Sequence, residues 1–336
     1  YGDHRDLHTA YRRQRQMCIR DRLDKDFKKW LEDSANSRLT KIKKDIPCLS
    51  IWHINDSEST PAKKSFLYSF YELDSPTFTE KNIVDFHDSV IFSSSHAKKC
   101  FENVSCDNVY SVPLGFDEDF CKTNKEYLKD KIHFGILGKW EKRKHTGEII
   151  KTWAKKYGNN KDYQLTCCII NPFFKPEQMN QIIAQALEGK TYGNINFLPR
   201  LGTNSEVNEM LNAIDIDLSG LSGAEGWNLP AFNATCLGKW SMVLNGTSHE
   251  DWANKDNCLL IEPQGKEDSE DGVFFTKNSP FNQGSINKLD TDNLISYFEK
   301  AEKLKGKENK EGEKLKEKFT YKKTLDSILN IIESNV

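Results

Sequence analysis

The sequence predicts an α/β fold made of two parallel-sheet domains, the first of them incomplete. From Leu23 onward, short apolar runs alternate with longer polar segments of helical period, an alternation typical of βα units. A polar stretch without period, residues 115–131, separates two such series. The chain has 336 residues, which exceeds the ~250–300 residues that one hydrophobic core usually reaches. Two Rossmann-like domains are therefore expected.

The first series contains four apolar runs with the character of buried strands. These strands are predicted at 48–54, 66–71, 89–94 and 109–114, with helices near 79–86 and 96–102 between them. Four runs are too few for a complete sheet of this type, so the first domain is predicted to be partial.

The second series is longer and predicts a complete doubly wound domain. Its strands are predicted at 132–137, 164–170, 195–198, 216–219, 241–244 and 259–261, and its helices near 146–157, 176–187, 205–214 and 229–237. A charged stretch at 303–318 is interpreted as a solvated helix face. An amphipathic run at 320–332 predicts a closing helix that docks onto a domain.

These patterns predict four parts of the chain. Residues 1–22 are interpreted as a non-native segment, 23–127 as a partial N-terminal Rossmann-like domain, 128–305 as a C-terminal Rossmann-like domain, and 306–336 as the closing helix. The first part is rich in arginine, lacks an initiating methionine and shows no apolar period. Its run at 12–22 resembles translated sequencing-adapter sequence, and a solvated basic arm is the alternative.

Composition excludes several function classes. With 48 basic and 50 acidic residues the net charge is −2, which gives no electrostatic reason to expect nucleic acid as a partner. The nine cysteines are odd in number and contain no CxxC pair, which argues against a disulfide framework and a zinc ribbon. No apolar run reaches the ~18 residues of a transmembrane segment. A cytoplasmic location is expected.

The first candidate site is the junction between a strand and a helix at 134–150. Gly138 makes the turn there, and the free backbone N–H groups at the helix start favour a phosphate. Lys139, Arg143 and Lys144 add positive charge at the carboxyl edge of the sheet, where ligands of such folds bind. The junction matches neither GxGxxG nor a P-loop. An ordinary solvated surface is the alternative interpretation.

The second candidate site is the loop that follows the strand predicted at 216–219. Ser222, Gly223 and Gly226 allow close backbone approach, and Glu225 places a carboxylate where the strand has ended. A carboxylate held there accepts hydrogen bonds from sugar hydroxyls. A surface or capping role is the alternative for a lone glutamate.

Together the two segments resemble the phosphate loop and the E-x7-E region of retaining glycosyltransferases of the GT-B type, in the glycogen-synthase-like superfamily (glycosyl transferases group 1, family 4 type). The segments 66–76 and 88–120 are similar to the end of that family's first domain. DGVFF at 271–275 and FNQG at 281–284 resemble one branch of the superfamily, and the C-terminal helix resembles its closing helix.

The resemblance implies that 23–127 is the acceptor-side domain and 128–305 the nucleotide-sugar-binding domain, and it also implies roles for individual residues. Lys139 and Lys144 match the family's basic pair that grips the donor diphosphate, with Arg143 as a helper and Gly138 in the same loop. Glu225 matches the first glutamate of E-x7-E, beside the donor sugar. Asn233 stands where the family has the second glutamate, which holds the ribose, so its amide would replace a charged contact.

The first domain departs from the family pattern. Nothing before Cys48 supplies the usual opening strand and glycine-rich loop, so a 5′-truncated gene is inferred, and activity is expected of the longer natural protein more than of this chain. His53 and Glu72 follow predicted strands and are candidate acceptor-side residues, with a structural role as the alternative for both.

The expected function is transfer of a sugar from a nucleotide-diphosphate sugar to a glycan, lipid-linked or protein acceptor. No cofactor is expected beyond the donor substrate, and no metal, because Lys139, Lys144 and the helix start would stabilise the leaving diphosphate. Retention of configuration is implied by the resemblance alone. The alternatives are a non-hydrolysing sugar-nucleotide epimerase and a catalytically silent GT-B binding module.

Overall fold

The computed structural model describes residues 25–37, 43–60, 62–123, 125 and 127–336. The predicted non-native segment 1–22 lies outside these residues. The chain divides into two units, one formed by 1–46 with 61–63 and the other by 47–60 with 64–336. In the first unit, helix α1 (Lys25–Ser37) has no buried residue, and its Phe27 and Trp30 rings stack at 5.4 Å.

The second unit contains two parallel sheets. The first sheet has the order β1-β2-β3-β4 and is buried on both faces in its middle, where every residue of β2 and β3 is inaccessible. Its elements are β1 (Cys48–Ile51), β2 (Ser65–Ser69), α2 (Phe78–Phe86), β3 (Ser89–Phe92), α3 (Ser95–Glu102) and β4 (Val109–Ser111). Thr77 and Glu80 form a capping box at the start of α2, and Ser94 caps α3.

The second sheet has the order β10-β9-β8-β5-β6-β7, and all its strand pairs are parallel. Its elements are β5 (Ile132–Leu137), α4 (Thr146–Tyr157), β6 (Tyr163–Cys168), α5 (Pro176–Ala186), β7 (Ile195–Phe197), α6 (Asn204–Ala213), β8 (Ile216–Asp217), α7 (Leu229–Cys236), β9 (Trp240–Leu244) and β10 (Cys258–Ile261). The reversal of strand order beside β5 creates a switch point, where open α/β sheets bind ligands.

The remaining elements follow the second sheet in the chain. They are the antiparallel pair β11 (Lys266–Asp268) and β12 (Ser285–Asn287), then α8 (Leu294–Glu302), α9 (Lys310–Glu313), α10 (Leu315–Lys318) and α11 (Tyr321–Asn335). Helix α11 crosses back to the first sheet, where the hydroxyl of Thr324 donates a hydrogen bond to the carbonyl of Pro113 at 2.7 Å.

One apolar cluster joins the two sheets. Tyr68 and Ile91 of the first sheet belong to the same buried cluster as Trp227, in the loop after β8, and Phe232 of α7, together with Phe319. A second cluster lies under α4 and α8. The two-sheet α/β fold expected from the sequence is confirmed.

Three details differ from prediction. Several predicted strands end early, as at 48–54 and 216–219, where pairing stops at Ile51 and Asp217. The hairpin β11–β12 was not predicted. The charged stretch 303–318 is two four-residue helices instead of one helix face, because Gly306 adopts a φ of 71° and Asn309 caps a new helix.

Candidate functional site

The basic loop, residues 138–145, connects β5 to α4. Gly138 has a φ of 155° and a Cβ added there would lie 3.4 Å from the Lys144 side chain, so glycine permits the turn. A short 3-10 turn, Lys142–Lys144, follows, and His145 takes a left-handed conformation with a φ of 51° immediately before α4. This backbone path turns the side chains of Arg143 and Lys144 toward the neighbouring loop after β8.

The acidic loop, residues 219–228, carries Glu225 into contact with two of these cations. Its Oε1 contacts the ammonium of Lys144, and its Oε2 lies 3.0 Å from Nη1 of Arg143. Burial by itself would raise the pKa of Glu225, but Arg143 and Lys144 outweigh it and hold that pKa well below its usual range. The carboxylate is therefore ionised at neutral pH, and it neutralises part of the basic loop.

Glu141 is a member of the site that was missed from the sequence. Its side chain is 3% exposed and lies between two cations, 2.7 Å from Lys139 Nζ and 2.8 Å from Arg143 Nε. Burial opposes ionisation, but Arg143 first and then Lys139 lower its pKa. The sequence contained one signal for this role: Glu141 has a basic residue two positions away on each side, Lys139 and Arg143.

Lys139 and Lys144, the basic pair predicted from the sequence, therefore contact different carboxylates. Lys144 lies against Glu225, whereas Lys139 pairs with Glu141 and its ammonium stands 5.0 Å from the centre of the Phe274 ring. Both side chains keep some exposure, 15% for Lys144 and 36% for Lys139. Each is within reach of an anion that approaches the loop from solvent.

Backbone contacts clamp the two loops together. The hydroxyl of Ser222 and the amide of Gly223 both donate to the carbonyl of Arg143, at 3.1 and 2.7 Å. A Cβ on Gly223 would lie 2.3 Å from the carbonyl oxygen of Asn287 and 2.8 Å from Cε1 of His145. Only glycine fits this approach.

A third loop, which follows β9, contacts the backbone of Glu225. The hydroxyl of Thr247 accepts a hydrogen bond from the Glu225 amide at 3.3 Å. Asn228 caps α7 and contacts Nε2 of His249 at 2.9 Å. Burial lowers the pKa of His249, which favours the neutral imidazole in this position.

The first sheet borders the site through Glu72. This residue follows β2, and its Oε1 lies 4.0 Å from Nη2 of Arg143. Ser93, after β3, donates a hydrogen bond to the carbonyl of Gly226 at 2.7 Å. The acceptor-side candidate Glu72 therefore belongs to the same charged cluster as Glu225. His53, the other candidate, follows β1 and is half-buried with its ring 6.0 Å from that of Trp52.

Residues 266–287, termed the bridging hairpin, connect the basic loop to the first sheet. On one side Asp74 pairs with Lys266 and accepts a hydrogen bond from the amide of Ser285 at 2.8 Å. On the other side Nζ of Lys142 donates to the carbonyls of Asp268 and Glu270, at 2.6 and 3.0 Å. The hairpin thus holds the two sheets around the charged cluster.

Asn233, the residue expected at the ribose, lies on α7 and is 6% exposed. Within the part of the chain that the structure describes, its Oδ1 has no hydrogen-bond partner. A buried amide oxygen without a partner is costly, so this oxygen retains an unused capacity to accept a hydrogen bond. Trp227, two residues after Glu225, is 2% exposed and packs on Phe232 and Phe319.

Metal-binding groups and membrane-spanning helices are both absent from the described residues. Across the ranges given above, no group of three or more His, Cys, Asp or Glu side chains is arranged to hold a metal ion. Over the same ranges, no helix combines the length and the apolar character that crossing a membrane requires.

No protein-family model matches the chain, and no curated protein is significantly similar to it. Solved structures with the same fold are numerous. TarM, known from S. aureus, superposes with a TM-score of 0.62 at 12% identity over 89% of this chain. The chain spans 57% of TarM, so it corresponds to little more than half of that protein.

Two further solved structures are similar in fold to this chain. Anabaena HepE, solved with UDP, has a TM-score of 0.60 at 13% identity and covers 81% of this chain, which spans 72% of HepE. Sucrose-phosphate synthase from Thermosynechococcus elongatus has a TM-score of 0.60 at 12% identity, with coverages of 81% and 68%. All three neighbours are GT-B glycosyltransferases, and the comparison confirms that the chain has the GT-B fold.

Proposed function

We propose that this chain functions as a glycosyltransferase that moves a sugar from a nucleotide-diphosphate sugar to an acceptor. The observation that carries the proposal is the contact of Lys144 and Arg143 with Glu225 at the switch point of the second sheet. This arrangement offers cations to a diphosphate and a carboxylate to the hydroxyls of the attached sugar. The fold shared with glycosyltransferases supports the same interpretation.

The proposed donor is a UDP-sugar. HepE has been crystallised with UDP and with UDP-glucose, and TarM with UDP. The Oδ1 of Asn233, which has no hydrogen-bond partner among the described residues, supports a ribose contact without a charge. The acceptor class stays open between glycan, lipid-linked and protein substrates. The TarM complex also contains fondaparinux and a GlcNAc-glycerol, which makes a glycan acceptor the first to test.

In the proposed mechanism, cleavage of the glycosidic bond leaves negative charge on the diphosphate. Lys144 moves from Glu225 to that phosphate, and Lys139 and the start of α4 add to its stabilisation. These groups would meet the charge of the leaving group without a metal ion. Retention of configuration is part of the proposal: the acceptor hydroxyl attacks on the face from which the diphosphate leaves, and its proton passes to the leaving phosphate oxygen as the sugar–phosphate bond breaks.

The proposal is tested with a nucleotide panel and a labelled donor. We expect UDP to raise the melting temperature of the chain more than GDP or ADP does. Incubation with radiolabelled UDP-glucose and a glycan acceptor should yield a labelled glycan, and Lys144→Ala should lower that rate by about 100-fold. Lys151→Ala removes a lysine of α4 that is 60% exposed, and it is the matched control. It should leave the transfer rate and the UDP-induced rise in melting temperature unchanged.

Two other outcomes of these experiments would indicate a different function for the chain. A sugar that is altered while still attached to the nucleotide would indicate an epimerase. Absence of any thermal shift with UDP, GDP or ADP would contradict the proposal and indicate a silent binding module.

A further inference from the structure

Arg143 faces three carboxylates from three parts of the chain. Its Nε lies 2.8 Å from Glu141, its Nη1 3.0 Å from Glu225 and its Nη2 4.0 Å from Glu72. The side chain is 8% exposed. Burial opposes its charge, but Glu225 and then Glu141 outweigh this effect and raise the pKa of Arg143 further.

Hydrogen bonds hold both the backbone and the side chain of Arg143 in place. Its carbonyl accepts hydrogen bonds from Ser222 and Gly223, and its Nη1 donates to the carbonyl of Ala224 at 2.6 Å. A diphosphate contact by this guanidinium would break buried charge-assisted contacts, which are among the strongest in a protein. Lys144 has an unbranched stem and a compact ammonium, and it moves to an incoming anion at lower cost.

We propose that Arg143, held by Glu141, is a positioning residue that fixes the carboxylate of Glu225 for the donor sugar and does not bind the diphosphate. The inference rests on the proposed function and assigns a specificity role within that site. When Lys144 leaves Glu225 for the phosphate, Oε2 stays anchored by Arg143, so the carboxylate keeps its orientation toward the sugar hydroxyls. Glu141 fixes the opposite edge of the guanidinium.

The two possible roles of Arg143 differ in what they do to nucleotide without sugar. A diphosphate ligand contributes to the binding of UDP, whereas a residue that orients Glu225 contributes only when a sugar is attached. Arg143→Lys keeps the charge and loses the planar fork that contacts several carboxylates at once. We therefore expect calorimetry to show UDP affinity within about 3-fold of the wild type and UDP-glucose affinity lower by about 10-fold.

A second variant tests the same role of Arg143 in case Arg143→Lys does not fold. Glu141→Gln preserves the side-chain volume and removes the charge beside Nε, so it should lower the ratio of UDP-glucose to UDP affinity by about 5-fold or more. Glu177→Gln, on the exposed first turn of α5, is the matched control and should leave the ratio unchanged. Circular dichroism and melting curves check that each variant is folded.

The outcomes separate this inference from the proposed function. A wild-type chain that binds neither UDP nor UDP-glucose contradicts the proposed function and this inference with it. A wild-type chain that binds both, together with variants that lose affinity for UDP and UDP-glucose equally, overturns the positioning role alone. A lower UDP-glucose to UDP ratio in folded Arg143→Lys or Glu141→Gln supports it.

Discussion

The ammonium of Lys144 contacts Oε1 of Glu225, although the two residues are 81 positions apart in the sequence. The contact joins the loops that follow β5 and β8, which are neighbouring strands of the second sheet. Both side chains are largely buried, with exposures of 15% and 7%. An anion that binds Lys144 must therefore compete with Glu225, and this exchange is the central feature of the proposed site.

Gly223 is expected to be intolerant of even one added carbon. In Gly223→Ala, the new Cβ would overlap the Asn287 carbonyl and the His145 ring, so the basic loop, the acidic loop or the bridging hairpin must move. We expect a loss of about 2 kcal/mol or more in the free energy of unfolding, measured by chemical denaturation.

Gly193→Ala is the matched control, because no atom lies within 4 Å of a Cβ built at that glycine. Its free energy of unfolding should stay within about 0.5 kcal/mol of the wild type. Equal stability of the two variants would show that the loops are not packed as described.

Asp74 should contribute more to stability than the lysine it pairs with. Asp74→Ala removes the acceptor of the Ser285 amide as well as the ion pair with Lys266, and we expect a loss of about 1–3 kcal/mol. Lys266→Ala removes an ammonium on a side chain that is 57% exposed, so it should cost less than about 1 kcal/mol. A larger loss for the lysine variant would contradict the role given to the bridging hairpin.

Asp217 should make the chain less stable as pH rises. Burial raises its pKa to about 6, while the unfolded chain has a value near ~3.9. The folded state therefore binds more protons between these values, and its free energy of unfolding falls as pH rises through that window. Asp217→Asn removes this contribution.

The test for Asp217 compares the variant with the wild type at about pH 4.5, near the lower end of that window, and at about pH 7.5, above its upper end. The stability of Asp217→Asn relative to the wild type should increase by about 2 kcal/mol over this range. Groups with lowered pKa values, such as Glu225, are present in both proteins and cancel in the difference. A difference that does not change with pH would contradict the assignment.

Much of the fold follows from the sequence because both sheets are parallel. Parallel strands are buried on both faces, so β2 and β3 contain the short apolar runs 66–68 and 90–92, which can be recognised in this sequence without an alignment. The approach of Lys144 to Glu225 follows from the same rule, since the carboxyl ends of adjacent parallel strands lie at one edge.

The features that sequence did not reveal depend on contacts between distant polar residues. Strands β11 and β12 have the sequences KED and SIN, which show no apolar pattern, and they pair across a 16-residue connection. Glu141 has the local sequence of a charge in a solvated loop, but it is buried against Arg143, whose carbonyl is held by Ser222 and Gly223. Such roles become visible only when the loops are placed together.

The most direct test of the central exchange compares UDP binding by Lys144→Ala and Glu225→Gln in isothermal titration calorimetry. If Lys144 leaves Glu225 for the diphosphate, Lys144→Ala should bind UDP about 10- to 100-fold more weakly than the wild type. Glu225→Gln frees Lys144 and should bind UDP at least as tightly as the wild type. Undiminished UDP affinity in Lys144→Ala, or a loss of affinity in Glu225→Gln equal to that expected for Lys144→Ala, would contradict the account.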